Sequence, residues 1–215
     1  MTLLKRLRSR HLEKRLTKLV LKQTLVGPER VHNLFVLAQR LEDERIPGDV
    51  VECGVYNGGT AAVLASIATH SKLQRTVWLF DSFQGMPQTT MNDGENAREY
   101  VGKVLGNTEQ VKHLLLKVGA DLDRVRIVKG VFQDTFPTVQ VPQIALLNVD
   151  ADWYESVKLS LERFYCSVVQ KGFISIDDYG HWPGCRKAVD EFFQERGLTF
   201  PLQEVDYTAR WFQKL

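Results

Sequence analysis

Cysteine is scarce in this chain. Cys53, Cys166 and Cys185 are far apart and odd in number, with no CxxC pair or histidine cluster beside them. Neither a disulfide framework nor a zinc site is expected, and a reducing, cytoplasmic setting is the natural reading. Long apolar runs are missing too. Charges interrupt the N-terminus every few residues, unlike a secretory signal, and no later run reaches the roughly 18 apolar residues of a transmembrane helix. A soluble protein is therefore expected. Net charge is close to zero, +2 over 215 residues, which gives no general case for nucleic acid or membrane as a partner. Internal repeats and low-complexity linkers are also absent.

The charge that is present is unevenly placed. Lys5, Arg6, Arg8, Arg10, Lys14, Arg15, Lys18 and Lys22 face Glu13 alone across the first turns of the chain. Leu4, Leu7, Leu12, Leu16, Leu19 and Val20 recur at spacings near three and four, which predicts an amphipathic helix with a cationic outer face. Two roles stay open for this arm: a helix that packs in a homodimer or lids the site, or a cationic surface helix that meets an anionic membrane or acidic partner. Pro28 suits the first turn of a second helix through Leu34, Leu37, Ala38 and Leu41, and the Ile46–Asp49 stretch breaks it. The division expected is a helical arm over 1–46 and one main domain over 47–215.

Beyond residue 48, apolar runs alternate with helical patterns. "DVVECGV", "RTVWLFD", "RVRIVKG", "QIALLNVD" and "GFISIDD" read as strands. Between them lie a small-residue helix after "NGG", a mostly helical stretch over 97–118, a helix from Tyr154 to Tyr165, and a last helix from Cys185 to Arg196. Two short extended pieces near "LQEVD" and "TARWFQKL" end the chain. Nearly continuous apolar strands joined by helices imply a doubly wound α/β domain with a mostly parallel sheet. Its longest irregular segment, 82–96, is a candidate substrate loop.

In such a sheet, ligands bind outside the C-terminal ends of the strands. "VECGVYNGG" follows the first strand and opens a helix, with Gly54, Gly58 and Gly59 allowing a tight turn and close approach of a ligand. Tyr56 stands where a dinucleotide site would have its second glycine, so the G-x-G-x-x-G pattern is missing. Asp81 ends the second strand, where an acid can accept from both ribose hydroxyls of a nucleoside, although it could also simply cap the loop at Ser82. Asp150 ends the fourth strand, and Asp177 and Asp178 the fifth. On adjacent strands their carboxylates would converge and repel, a conflict that a hard divalent cation such as Mg²⁺ removes. Asp152 is open to a second reading as the cap of the helix at Tyr154, with Glu155 completing the pattern.

The segments "VVECGVYNGG", "FDSFQGMP", "VKGVFQDTFP", "NVDADWYES" and "ISIDDYGHWPGCRKAVDEF" resemble the macrocin O-methyltransferase (TylF-type) family. The resemblance implies a Rossmann-like methyltransferase sheet that binds S-adenosylmethionine and Mg²⁺ and methylates a hydroxyl of a small molecule, such as a sugar or hydroxylated natural product. The cofactor set it implies is Glu52, Gly54, Tyr56, Gly58, Thr60, Asp81, Ser82, Gly130, Phe132 and Asp150. The metal set is Asp150, Asp177 and Asp178. Asp152 matches the second acid of the family's D-x-D pattern and is the expected general base, with His181 as the alternative. Asn57 and Gln84 depart from the family pattern. Tyr154, Tyr179 and Trp182 are candidates for an aromatic substrate wall, and Arg186, at a helix start, calls for a specific partner. Cys185 reads as a buried structural thiol. A catechol- or phenol-type methyltransferase and a non-catalytic nucleoside-binding protein are the rival readings; nucleic-acid methylation is not expected.

Overall fold

The computed structural model describes residues 3–215, with side chains from Ser9 onward. The arm's Leu4 and Leu7, with Lys5, Arg6 and Arg8, are thus outside the described side chains. Helix α1 runs over Leu3–Val20. Its leucine stripe turns inward at Leu12, Leu16, Leu19 and Val20, while Arg10, Lys14, Arg15 and Lys18 face solvent. Pro28 opens α2 (Pro28–Asp43), which buries Val31, Leu34, Phe35, Leu37, Ala38 and Leu41 along one face. Among the described residues, no helix is long and apolar enough to cross a membrane.

The sheet has the order β3-β2-β1-β4-β5-β7-β6, from β1 (Asp49–Cys53), β2 (Val77–Asp81), β3 (Val125–Lys129), β4 (Ile144–Val149), β5 (Val168–Ile176), β6 (Gln203–Glu204) and β7 (Arg210–Gln213). The first five strands are parallel; β7 is antiparallel to both β5 and β6. Every residue of β4 is buried, as a central strand covered on both faces requires. On one face pack α1, α2, α3 (Gly59–Thr69) and α4 (Thr108–Val118). On the other lie the one-turn helix α5 (Phe132–Thr135), α6 (Tyr154–Phe164) and α7 (Pro183–Glu195), with Val157, Leu161, Phe164, Val189 and Phe192 in a second apolar cluster.

The helix expected over 97–118 is interrupted. A 3₁₀ turn covers Glu95–Tyr100, and α4 begins only at Thr108. Two glycines explain the break. Gly102 adopts φ +74°, and Gly106 crosses the first strand's turn so closely that a Cβ there would lie 2.4 Å from the Tyr56 carbonyl oxygen. Asn107 then starts a new helix, its side chain accepting from the Glu109 and Gln110 N–H groups. The loop between the two pieces is thereby laid across the tips of the strands.

Candidate active site

The strand order reverses between β1 and β4, and a cleft of about 370 Å³ opens at the strand tips there. Its floor is a row of backbone hydrogen bonds. Gly54 N donates to Phe80 O (2.9 Å), Asp150 N to Cys53 O (2.8 Å) and Asp177 N to Val149 O (2.9 Å). Gly54 has φ +91°, and a Cβ there would sit 1.6 Å from the Asp150 carbonyl oxygen, so only glycine lets β1 and β4 approach this closely. Asp81 organises the turn that follows. Its Oδ2 accepts from the Val55 and Tyr56 N–H groups at 2.8 and 2.9 Å, and its Oδ1 from Phe83 N at 2.7 Å. The loop cap considered for Asp81 is thus present, alongside a clasp on the glycine turn. Three of roughly four lone-pair sites are used, which leaves one for a ligand hydroxyl.

Across the cleft, Asp150, Asp177 and Asp178 each offer one oxygen, and these oxygens lie within 4.8 Å of one another. Burial, followed by repulsion from neighbouring acids, holds Asp150 and Asp178 well above the ordinary carboxylate range. Burial likewise raises Asp177 to about 6, though the Arg30 guanidinium opposes it. Asp178 Oδ2 is buried and has no hydrogen-bond partner. Converging hard oxygen donors with an orphaned carboxylate oxygen fit an oxygen-preferring divalent cation.

Asp152 sits just beyond Asp150 in the left-handed region, φ +55°, a conformation that costs of order 1–3 kcal/mol and clusters at functional sites. It does not cap α6. The residue before that helix is Trp153, which gives no side-chain cap, and the Tyr154 N–H donates instead to Asp93 Oδ1. Asp152 Oδ1 accepts from Trp182 Nε1 at 3.0 Å. Burial first, and then Asp177, raise its pKa to about 7. His181 also lines the cleft but is exposed, with Nδ1 3.2 Å from the Tyr207 hydroxyl and its ring edge-on to Trp182.

The remaining candidates divide. Tyr56, Thr60, Ser82 and Phe132 line the cleft together with Gly54, Asp81 and Asp150, whereas Glu52, Gly58 and Gly130 do not. Gly130 N donates to the Asp81 carbonyl, and Gly58 holds φ +84° at the start of α3. Asn57 Oδ1 accepts from Asn107 N, tying the interrupted helix to the turn. Of the aromatic trio, only Trp182 lines the cleft. The Tyr154 and Tyr179 hydroxyls donate to Glu191 and Asp190 on α7. Arg186 finds a carbonyl rather than a carboxylate: its Nε donates to Tyr179 O, and its guanidinium lies 5.4 Å from that ring's centre. Cys185 is buried, and burial raises its thiol well above the usual range.

Glu52 lies wholly buried behind the cleft. One oxygen accepts from Asn148 Nδ2 at 2.9 Å, and the other has no partner. Burial lifts its pKa to about 8, so it is protonated at neutral pH. An acid whose folded pKa is raised contributes stability at low pH that is lost as pH climbs from its unfolded value, about 4.3, to the folded one. Glu52→Gln, which imitates the protonated acid, is expected to flatten the fall in melting temperature between about pH 5 and 9. Equal slopes for the two proteins over that range would disprove a buried neutral Glu52.

Sequence reasoning missed Arg30, the Thr24–Val26 connector, Tyr100 and Tyr207, all of which line the cleft. A signal existed for Arg30. It stands in the first turn of α2, where the helix dipole disfavours a cation, the same argument that singled out Arg186. The others reach the cleft only through the fold.

A mostly parallel seven-stranded sheet of this order, with a glycine turn after β1 and an acid ending β2, defines a Rossmann-like methyltransferase. The chain belongs to the macrocin-O-methyltransferase (TylF) family, whose model matches residues 7–214, and it is a methyltransferase. It is 34% identical over 192 residues to 8-demethyl-8-(2,3-dimethoxy-alpha-L-rhamnosyl)-tetracenomycin-C 4'-O-methyltransferase of Streptomyces olivaceus, covering 86% of this chain and 73% of that one. It is also 34% identical over 191 residues to mycinamicin III 3''-O-methyltransferase of Micromonospora griseorubida, covering 85% and 75%. Among solved structures, the O-methyltransferase NovP superposes with a TM-score of 0.80 at 30% identity, over 89% of this chain and 82% of that one. The calicheamicin methyltransferase CalS11 shares the fold, with a TM-score of 0.72 at 21% identity over 95% and 91% of the chains.

Proposed function

We propose that the protein transfers the methyl group of S-adenosylmethionine to a sugar hydroxyl of a glycosylated natural product, with Mg²⁺ held by Asp150, Asp177 and Asp178. The observation that carries this reading is the meeting of three converging carboxylate oxygens with the glycine turn and Asp81 in one cleft. The sugar-directed names of the relatives support the acceptor class.

The cofactor supplies a methyl group on a sulfonium, and the cation, when bound, supplies charge stabilisation for an ionising hydroxyl. The chain does the rest. The glycine turn and Asp81 place the cofactor at one end of the cleft. Asp152 takes the acceptor's proton, with Trp182 holding its Oδ1. With S-adenosylmethionine bound, its methyl would pass to the acceptor oxygen as the carbon–sulfur bond broke, and S-adenosylhomocysteine would be the product. Trp182 and Tyr100, 5.3 Å apart between ring centres, offer apolar faces for a sugar ring and help exclude water.

A labelled-methyl screen of sugar hydroxyls and phenols, run with Mg²⁺ and with excess chelator, tests the reading. Transfer to a glycosylated acceptor is expected, with loss of at least about 100-fold on chelation and retained cofactor binding. Full turnover in excess chelator would sink the metal assignment. Preferential methylation of phenols would replace the sugar by a catechol-type acceptor.

A further inference from the structure

The acid cluster is not composed of acids alone. Arg30, from the first turn of α2, inserts its guanidinium between two carboxylates: Nη1 hydrogen-bonds Asp177 Oδ2, and Nε lies 3.1 Å from Asp206 Oδ2 as an ion pair without hydrogen-bond geometry. The side chains of Arg30, Asp177 and Asp206 are 15%, 8% and 18% exposed, so this is not a solvated surface pair. Burial alone would favour the neutral guanidine, but Asp177, then Asp206, Asp150 and Asp178, hold it charged.

These contacts close a ring. Asp206 Oδ1 accepts from the Thr208 and Ala209 N–H groups, and Thr208 Oγ1 donates to the Asp177 carbonyl at 2.6 Å. Asp177 is therefore fixed through its N–H by β4, through its carbonyl by the hairpin before β7, and through its carboxylate by Arg30. A cation in a helix's first turn opposes the helix dipole at a cost of about 0.3–1 kcal/mol, so helix stability does not explain the placement. Two carboxylates at different angles suit the planar, multi-donor guanidinium better than a lysine.

Charge balance points the same way. Asp150, Asp152, Asp177 and Asp178 bring four acids to one site, the last two buried and the first two half-buried. A divalent cation balances two of them, and Arg30, which is shared with Asp206, offsets part of the rest. The two cations thus complement each other, and Arg30 does not stand in for the metal.

Resting on the metal reading above, we infer that Arg30 is a positioning residue of the metal site, a permanent second cation that holds Asp177 in its ligating orientation and makes the N-terminal arm part of that site. Hydrogen-bond partners of metal ligands are commonly worth 10–100-fold in metal affinity.

The test is Mn²⁺ affinity, by electron paramagnetic resonance or calorimetry on the full chain without acceptor. Arg30→Met is expected to raise the Mn²⁺ dissociation constant by about 10–100-fold, and Arg30→Lys to recover part of the loss. S-adenosylhomocysteine binding, measured without metal, should be unchanged, because the Arg30 guanidinium pairs with Asp177 and Asp206 rather than with Asp81. Asp206→Asn, which loosens the guanidinium but keeps its charge, should weaken Mn²⁺ binding in the same direction by less, and it carries the test if Arg30→Met does not fold. Wild-type Mn²⁺ affinity, or tighter binding, in the variants overturns the inference. So does a loss matched equally by S-adenosylhomocysteine binding and thermal stability, which would mark a purely structural residue. Absence of Mn²⁺ binding by the wild type removes the metal reading itself.

Discussion

Asp152→Asn should lower kcat by about 10²–10⁴-fold while the affinities for S-adenosylhomocysteine and divalent metal stay within the normal range. The substitution is unusually clean at this position. Asparagine tolerates the left-handed backbone at least as well as aspartate, so φ +55° can persist, and the amide oxygen can still accept from Trp182. What is lost is the ability to receive a proton. Single-turnover transfer of labelled methyl to a saturating acceptor measures the step without product release. His181→Asn is the paired control. It is expected to perturb KM more than kcat, because the imidazole is exposed and engaged with Tyr207. If His181→Asn is the variant that abolishes turnover and Asp152→Asn retains it, the base assignment is reversed.

Gly54→Ala should cost about 3 kcal/mol or more and abolish cofactor binding in whatever protein remains folded. The new methyl would stand 1.6 Å from the Asp150 carbonyl oxygen. A backbone atom of a central strand cannot rotate away as a side chain can, so β1 and β4 would have to separate. The φ of +91° adds strain of its own. Gly102→Ala is the control: its φ is +74°, but a Cβ there meets nothing within 4 Å, so it should cost only about 1 kcal/mol. Denaturant melts of the two variants, with calorimetry of S-adenosylhomocysteine, decide the matter. Equal stabilities would show that the strand contact is not limiting.

Much of this architecture was legible because a parallel sheet writes itself into a sequence twice. Its strands are apolar throughout, as in "IALLNV", and the acids that terminate them have no partner in their own strand. Asp150, Asp177 and Asp178 could therefore be placed at one edge without knowledge of the helices between them. The interrupted stretch over 97–118 was harder. Its helical periodicity is real on either side, and the break is set by Gly106 meeting Tyr56, a contact between residues 50 positions apart. Arg30 was missed although its chemistry is plain, because its significance lies in two acids 147 and 176 residues further on. Tyr154 and Tyr179 looked like a substrate wall because aromatics near an acid cluster suggest one. Helical phase instead directs the Tyr154 hydroxyl, and the turn after β5 the Tyr179 hydroxyl, toward α7.

The row of backbone bonds beneath the cleft has a consequence for how such an enzyme can diversify. Gly130, Asp81, Gly54, Asp150 and Asp177 stand at the tips of neighbouring strands; all but Asp81 donate a main-chain N–H to a carbonyl of the next strand, Gly130 to that of Asp81 itself, and side-chain substitutions leave these bonds in place. The rim above them is different. Met86, Pro87 and Tyr207 belong to loops and Tyr100 to a 3₁₀ turn, where replacements are tolerated at little cost to the fold. Under the proposed function, reaction and selectivity would be separately mutable: the rim could be exchanged to admit a new acceptor while the row kept the proposed cation and base sites in register. Arg30 and Asp206 mark the boundary, the point at which a change in the rim begins to be felt by the chemistry.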